Sequence, residues 1–377
     1  MNRRQRLMAT LRGEVVDRPP VSFYELNGLD EDPSNPDTFN IYSDPSWQPL
    51  IDLAREKTDR IVIRGIYSAD FLPEPAADQC HTHTYWKGDS YYTVRSVRVG
   101  QRQLSTRTRR DKDVNTLWTE EALLKTSEDI DLYLQLPENE KAHAFDMSDI
   151  LATEKILGDS GIVMLDTPDP LCLAASLFDM ADYLVIAMSE KQVFRKLLDR
   201  FAEELYPLIE EVSSRLPGRL WRIYGPEYAS PPYLPPEYFR EFVCEYVRPM
   251  IRMIQQHGGY ARIHSHGNLK AILDDIVDMN ADGLDPVEPP PQGDVQLSYV
   301  RRHYGRNMVL FGNIEICDIE NLPTDQFAQV VHKALEEGTA GNGRGFVLMP
   351  SACPIGRQLS SLSLRNYEKM IEIIEEL

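Results

Sequence analysis

What limits this chain most is a repeated change of pattern: a short β-branched or aromatic run, then an apolar run at helical spacing, many times over. Strand-like runs stand at 21–25, 60–64, 161–165, 220–224, 260–264, 283–285, 307–311 and 345–349. Helical spacing occupies 4–11, 47–57, 192–215, 237–256, 269–279, 324–337 and 361–377. Strands that alternate with helices pair as a parallel sheet with helices packed on its faces. About eight such units, with no linker or shift in composition between them, predict a closed (β/α)8 TIM barrel forming one domain over 1–377.

Two stretches interrupt the rhythm. Residues 27–44 are rich in Gly, Asp, Pro and Asn, and a loop of that length is usually functional. Residues 91–110 are rich in Thr, Val, Tyr and Arg and turn at Gly100-Gln101, which predicts an inserted β-hairpin. Arg95, Arg98, Arg102, Arg107, Arg109 and Arg110 gather positive charge there, as a solvated face or as an anion or partner contact. Polar helices are expected at 118–125 and 128–134, ended by Pro137.

Charge narrows the function. With 40 basic against 59 acidic groups the chain carries a formal −19, the wrong sign for a nucleic-acid binder or for a protein held on anionic membranes. The five cysteines are scattered without C-x-x-C pairs, as a reducing compartment permits. The basic start is followed by Leu7, Met8 and Leu11 at helical spacing, not by an apolar signal segment, and no run reaches membrane-spanning length. A cytoplasmic protein is expected.

In a barrel the chemistry sits on the loops that follow the strands. Those positions hold Tyr24 and Glu25, Arg64, Asp166 and Asp169, Glu227 and Tyr228, His264 and His266, Glu288, Asn313, and Ser351 with Cys353. The centre of the ring is Ala-Arg-Ile-His-Ser-His-Gly-Asn at 261–268, placed between the Gly258-Gly259 helix stop and a helix opening near Asn268. Alternation along a strand points His264 and His266 the same way, an arrangement that grips a transition metal or makes a pair of hydrogen-bonded core histidines. Prolines on both sides of Glu288 aim its carboxylate as a metal ligand, a general base or a loop cap. Asp285 could cap a turn, Asn313 orient a ligand or form a turn, and Glu227 and Tyr228 line a cavity. N-capping accounts for Asp166 and Asp169, and Cys172 and Cys244 sit on apolar helical faces.

Several motifs together resemble the uroporphyrinogen decarboxylase superfamily. They are Arg4-x-Arg-Leu-x-Ala-x-Leu-x-Gly-Glu-x-x-Asp-Arg-Pro-Pro20, His264-x-His-Gly-Asn268, Ala281-Asp-Gly-Leu-Asp-Pro-Val-Glu288, Leu310-Phe-Gly-Asn313 and Gly345-Phe-Val-Leu-Met-Pro350. The resemblance covers nearly the whole chain, most strongly from residue 220 onward. It implies the same barrel fold and one of two chemistries: cofactor-free tetrapyrrole decarboxylation, or zinc-dependent methyl transfer from a methylated corrinoid to a thiol such as coenzyme M.

The decarboxylases carry Arg-Gln-Ala-Gly-Arg after the first strand, whose guanidinium groups hold substrate carboxylates. Here 23–28 reads Phe-Tyr-Glu-Leu-Asn-Gly, which lacks them. The methyltransferases resemble the chain better. Their zinc motif, His-x-Cys-Gly, then a carboxylate, then a late cysteine, implies His264, His266, Glu288 and Cys353 as metal residues. Histidine replaces the family's first cysteine at 266, and Cys353 stands one residue late, so strict spacing puts Ala352 there. Glu288, Glu227, Tyr24 and Asn313 are the catalytic candidates. The resemblance implies Zn2+, a methylcorrinoid brought by a separate corrinoid protein, a small thiol or related acceptor, and a homodimer. A metal-dependent hydrolase using H-x-H and a non-catalytic corrinoid- or metal-binding scaffold are the alternatives, although in such hydrolases the pair follows the first strand.

Overall fold

The computed structural model of the chain describes residues 1–67, 79–137 and 145–377. Seven strands form one parallel sheet: β1 (Arg60–Gly65), β6 (Gly161–Pro168), β7 (Leu220–Tyr224), β8 (Tyr260–His264), β9 (Gly283–Asp285), β10 (Val309–Ile314) and β11 (Gly345–Pro350), in that spatial order. Between β1 and β6 the chain builds a separate antiparallel sheet of β2 (Cys80–Lys87), β3 (Ser90–Val99), β4 (Arg102–Asp111) and β5 (Leu117–Glu121).

The parallel sheet curls, and residues 20–22 run between its two edges. Ser22 N donates to Leu348 O and Leu348 N to Pro20 O on one side, while Asp59 N donates to Val21 O on the other. The layout is that of a TIM-barrel-like α/β fold. The expected first strand at 21–25 is thus reduced to a single bridge, Val21 to Leu348. Pro20 offers no N–H for a ladder, and Tyr24 takes a left-handed φ of 59° that turns the chain out of the sheet.

Side chains alternate across each strand, so every second residue faces the inside. At the floor these are apolar: Ile61, Ile162, Met164, Leu220, Val309, Phe311, Val347 and Met349 form one buried cluster. The helix Arg3–Arg12 plugs that end with Leu7 and Leu11. Asn2 caps it, its side chain accepting from Gln5 N while Gln5 answers the Asn2 N–H, and Gly13 ends it at a φ of 71°. The outward faces pack under the surrounding helices, the longest of them Lys191–Arg215.

The hairpin expected at 91–110 is β3 and β4, paired from Ser90–Asp111 to Val99–Arg102. It sits inside a larger sheet than the sequence indicates. Residues expected as a helix near 118–125 contribute β5 instead, because Trp118 and Thr119 find ladder partners in Arg109 and Thr108. Glu120 and Glu121 also pair with Arg107 and Arg109. Tertiary pairing overrides the helix propensity of Glu-Glu-Ala-Leu. Most of the arginine cluster is neutralised in the same way: Arg102 meets Asp129 and Arg110 meets Asp37. The helix expected from 269 begins only at Leu273, after a turn in which Lys270 N donates to Asp294. Among the described residues no helix is long and apolar enough to cross a membrane.

Candidate functional site

Above the apolar floor the interior turns charged, and strand register explains how. Asp166 on β6 lies level with Arg222 on β7, Arg222 with Arg262 on β8, and Arg262 with Gly283 on β9. Arg222 grips Asp166 with two parallel bonds, Nε to Oδ1 at 2.6 Å and Nη2 to Oδ2 at 3.0 Å. Arg262 pairs with Asp285 through Nε at 2.5 Å and Nη2 at 2.9 Å, its guanidinium 4.7 Å above the Phe311 ring. Gly283 lets the Phe311 ring come close, since a Cβ there would stand 2.9 Å from it. Two buried cations are tolerable here because each has its own carboxylate.

One level higher, Tyr224, His264 and Asp285 stand side by side. His264 Nδ1 meets Asp285 Oδ2 at 2.7 Å. Burial would raise the Asp285 carboxyl, but Arg262 and His264 hold it down at about 2. On its other side His264 faces Tyr24: Nε2 lies 3.5 Å from the hydroxyl, which accepts from Arg222 Nη1 at 2.7 Å. Burial pushes the Tyr24 phenol well above its ordinary range and keeps it neutral.

His266 lies just past the strand, its ring centroid 4.6 Å from that of His264 and its plane turned by 89°. Its Nδ1 meets Glu288 Oε1 at 2.8 Å, and Glu288 Oε2 accepts from Gly267 N at 2.7 Å. Burial works against a proton on His266, yet the bond to Glu288 outweighs it and the pKa is raised. Burial opposes charge on Glu288 too, but His266 brings its carboxyl below the ordinary value. Glu288 owes its aim to Val287, a β-branched residue held at a φ of 55°. Strain of that kind persists only where the surroundings enforce it.

The other expected site residues have plainer partners. Glu227 accepts from Gly225 N at 3.1 Å and so braces its own turn. Asn313 donates to Val287 O at 3.3 Å, tying the end of β10 to the Glu288 loop. Cys353 lies against the floor cluster with its thiol 3.5 Å from Phe23 O, and burial pushes the thiol far above its usual range. Asp169 caps Cys172 N at 2.6 Å, as expected, whereas Asp166 serves Arg222. Cys244 is buried against the helical shell. Among the described residues no three His, Cys, Asp or Glu side chains already converge on one ion.

Sequence reasoning passed over three residues and gave a fourth another role. Arg222 and Arg262 were readable, as lone charges at matching positions inside two apolar strands. Asp285 was weighed only as a turn cap. Glu315, directly after β10, carried no motif at all. It is 5% exposed; among the described residues its Oε2 accepts only from Ser351 Oγ at 3.3 Å, and its Oε1 has no hydrogen-bond partner. Burial, aided by Glu288, pushes its carboxyl up to about 7.

The family model for uroporphyrinogen decarboxylase (URO-D) matches residues 121–377. A comparison with curated proteins gave no match. Among solved structures, a methyltransferase from Methanosarcina mazei superposes with a TM-score of 0.62 at 18% identity, covering 100% of this chain and 99% of its own. That likeness concerns the fold. A D-psicose 3-epimerase from Clostridium cellulolyticum H10 follows at a TM-score of 0.37 and 11% identity, over 62% of this chain and 84% of the epimerase.

Proposed function

Because this chain belongs to the uroporphyrinogen decarboxylase family, we propose that it is a methyltransferase acting at the open end of the barrel. The methyl group comes from a corrinoid on a separate protein and goes to a small thiol or related acceptor. One observation carries the reading: each imidazole of the H-x-H pair has its Nδ1 on a carboxylate of its own, His264 on Asp285 and His266 on Glu288. Metal-binding histidines are oriented in this manner, with the second ring nitrogen left for the ion.

The donor chemistry fits zinc at two positions, Nε2 of His264 and Nε2 of His266. When bound, the ion supplies the Lewis acidity that lowers a thiol's pKa to neutral pH. The chain's own residues do the rest. Asp285 sets the tautomer and orientation of His264, and Arg262 keeps Asp285 ionised for that task. Tyr24, fixed by Arg222, presents a neutral hydroxyl beside His264. Glu288 fixes the orientation of His266 through Nδ1 and so would leave Nε2 to an ion, and Glu227 and Asn313 shape the rim.

Decarboxylation of a polycarboxylate substrate finds less support. The inward guanidinium groups of Arg222 and Arg262 are committed to Asp166 and Asp285, and Arg64 to Asp30 and Asp149. A substrate carboxylate would have to displace one of these pairs. The test measures zinc content and methyl transfer from methylcobalamin to a panel of thiols, in the parent and in His264→Ala and His266→Ala. Both variants should lose zinc and activity. Turnover of a carboxylated tetrapyrrole without methyl transfer would replace this reading.

A further inference from the structure

We infer that the methyl acceptor taken at the mouth of the barrel carries a positive charge, not a sulfonate or carboxylate, and that Glu25 receives it. The inference rests on the methyltransferase reading above and goes beyond it by assigning the acceptor's charge. It starts from the state of the cations. Among the described residues, three guanidinium groups stand at the inner ends of the strands, and each already has a carboxylate. Arg222 has Asp166, Arg262 has Asp285, and Arg64 has Asp30 and Asp149. Arg222 and Arg262 are also buried, so an anionic tail could reach them only by breaking a pair inside the protein and stranding its carboxylate. By sequence, residues 68–78, which follow β1, hold no lysine or arginine.

Carboxylates are in surplus at the same place. The side chain of Glu25 is 54% exposed, whereas that of Arg222 beside it is 8% exposed. Glu25 Oε1 lies 3.4 Å from Arg222 Nη1, a long contact, because that nitrogen donates to the Tyr24 hydroxyl at 2.7 Å while Nε and Nη2 serve Asp166. One guanidinium thus faces two carboxylates, and the one left with the weak contact is the one open to solvent. The Tyr24 hydroxyl in turn lies 3.5 Å from His264 Nε2. A short chain of contacts therefore joins Glu25 to the imidazole nitrogen that the proposed function uses. Glu227, past β7, accepts from Gly225 N and has no cation partner among the described residues. An acceptor with an ammonium group near its sulfur answers the free carboxylate of Glu25 while its sulfur turns toward the histidines. An ion pair at this exposure changes affinity about two- to fivefold, and an anionic acceptor meets repulsion instead.

The experiment offers cysteamine, 2-mercaptoethanol and 2-mercaptoethanesulfonate as acceptors from methylcobalamin to full-length protein supplied with Zn2+. Parent, Glu25→Gln and Glu25→Lys are compared, with circular dichroism confirming the fold of each. These thiols differ in intrinsic reactivity, so the quantity read is the kcat/KM ratio of cysteamine to the sulfonate, variant against parent. Glu25→Gln should lower that ratio about threefold or more, chiefly through KM, and Glu25→Lys should lower it further; both changes should shrink at high ionic strength. In parallel, ligand-observed NMR measures binding of the S-methylated forms of the three compounds, which needs no methyl transfer. Turnover with a ratio that neither variant moves, or with the sulfonate bound best by the parent, would overturn the charge assignment and leave the methyltransferase reading standing. No transfer to any thiol, with the methylated ammonium compound bound best and weakened in Glu25→Gln, would overturn the methyltransferase reading and keep the charge assignment. Neither transfer nor binding would overturn both.

Discussion

Replacing Glu315 by glutamine removes a buried ionisable group while keeping its shape, so the variant isolates what that charge does to folding. The carboxyl has an ordinary value of 4.5 and stands at about 7 in the folded protein, chiefly because burial disfavours its anion and Glu288 repels it. Below about 4.5 the group is protonated in both states and contributes nothing to the pH dependence. Between 4.5 and about 7 the unfolded chain has released the proton while the folded protein still holds it, so the free energy of unfolding falls as pH rises. Above about 7 the fall is complete. At about 1.4 kcal/mol per pH unit, the interval corresponds to about 3 kcal/mol. The glutamine variant lacks this fall. Its stability relative to the parent should therefore rise by about 3 kcal/mol between pH 4.5 and pH 8. Urea denaturation of metal-free protein across that range measures it, because groups remote from residue 315 titrate alike in both proteins and cancel. A difference constant to within about 0.5 kcal/mol would show that Glu315 titrates like an exposed carboxylate, and the account of its burial would be wrong.

Three further outcomes follow from the same contacts. Glu288→Gln should lower the pKa of His266, since its bond to Glu288 is what raises it against burial; proton NMR of the imidazole in metal-free protein reads the change, and an unaltered titration would contradict the assignment. Asp166→Ala leaves the Arg222 guanidinium buried without its carboxylate and should cost about 3 kcal/mol in urea denaturation, most of it recovered when Arg222 is changed to Met as well. Gly312→Ala should destabilise the protein by about 3 kcal/mol, since the new Cβ would lie 2.1 Å from Pro286 O at a φ of 141°. A melting temperature equal to the parent's would show that the ends of β9 and β10 do not approach so closely.

Much of the architecture was legible because it is written in local periodicity. Apolar spacing along the chain marked the seven strands of the parallel sheet and most of the helices, and the position of 91–110 between them marked the insertion. The H-x-H pair was legible for a similar reason: a two-residue spacing at a strand end keeps two imidazoles together wherever the strand lies, and the rings are indeed neighbours. The polar mouth followed from the rule that barrel chemistry gathers past the strand ends. Local pattern misjudged 117–121, whose composition favours a helix but whose edge is claimed by the arginine-rich β4.

What the imidazoles do with their nitrogens could not be read in the same way. His264 meets a carboxylate 21 residues away and His266 one 22 residues away, and which acid serves which ring depends on the register of β8 against β9. The union of Arg222 with Asp166 across 56 residues likewise exists only because β6 and β7 lie in step. Glu315 is the extreme case, for nothing near it in sequence tells that one of its oxygens is buried without a partner. Which residues face inward is encoded by neighbours along the chain, and the sequence by itself determined that much. Which inward groups touch, and which are left alone, was decided only when the curled sheet brought distant strands level and shut out the water that would otherwise have satisfied them.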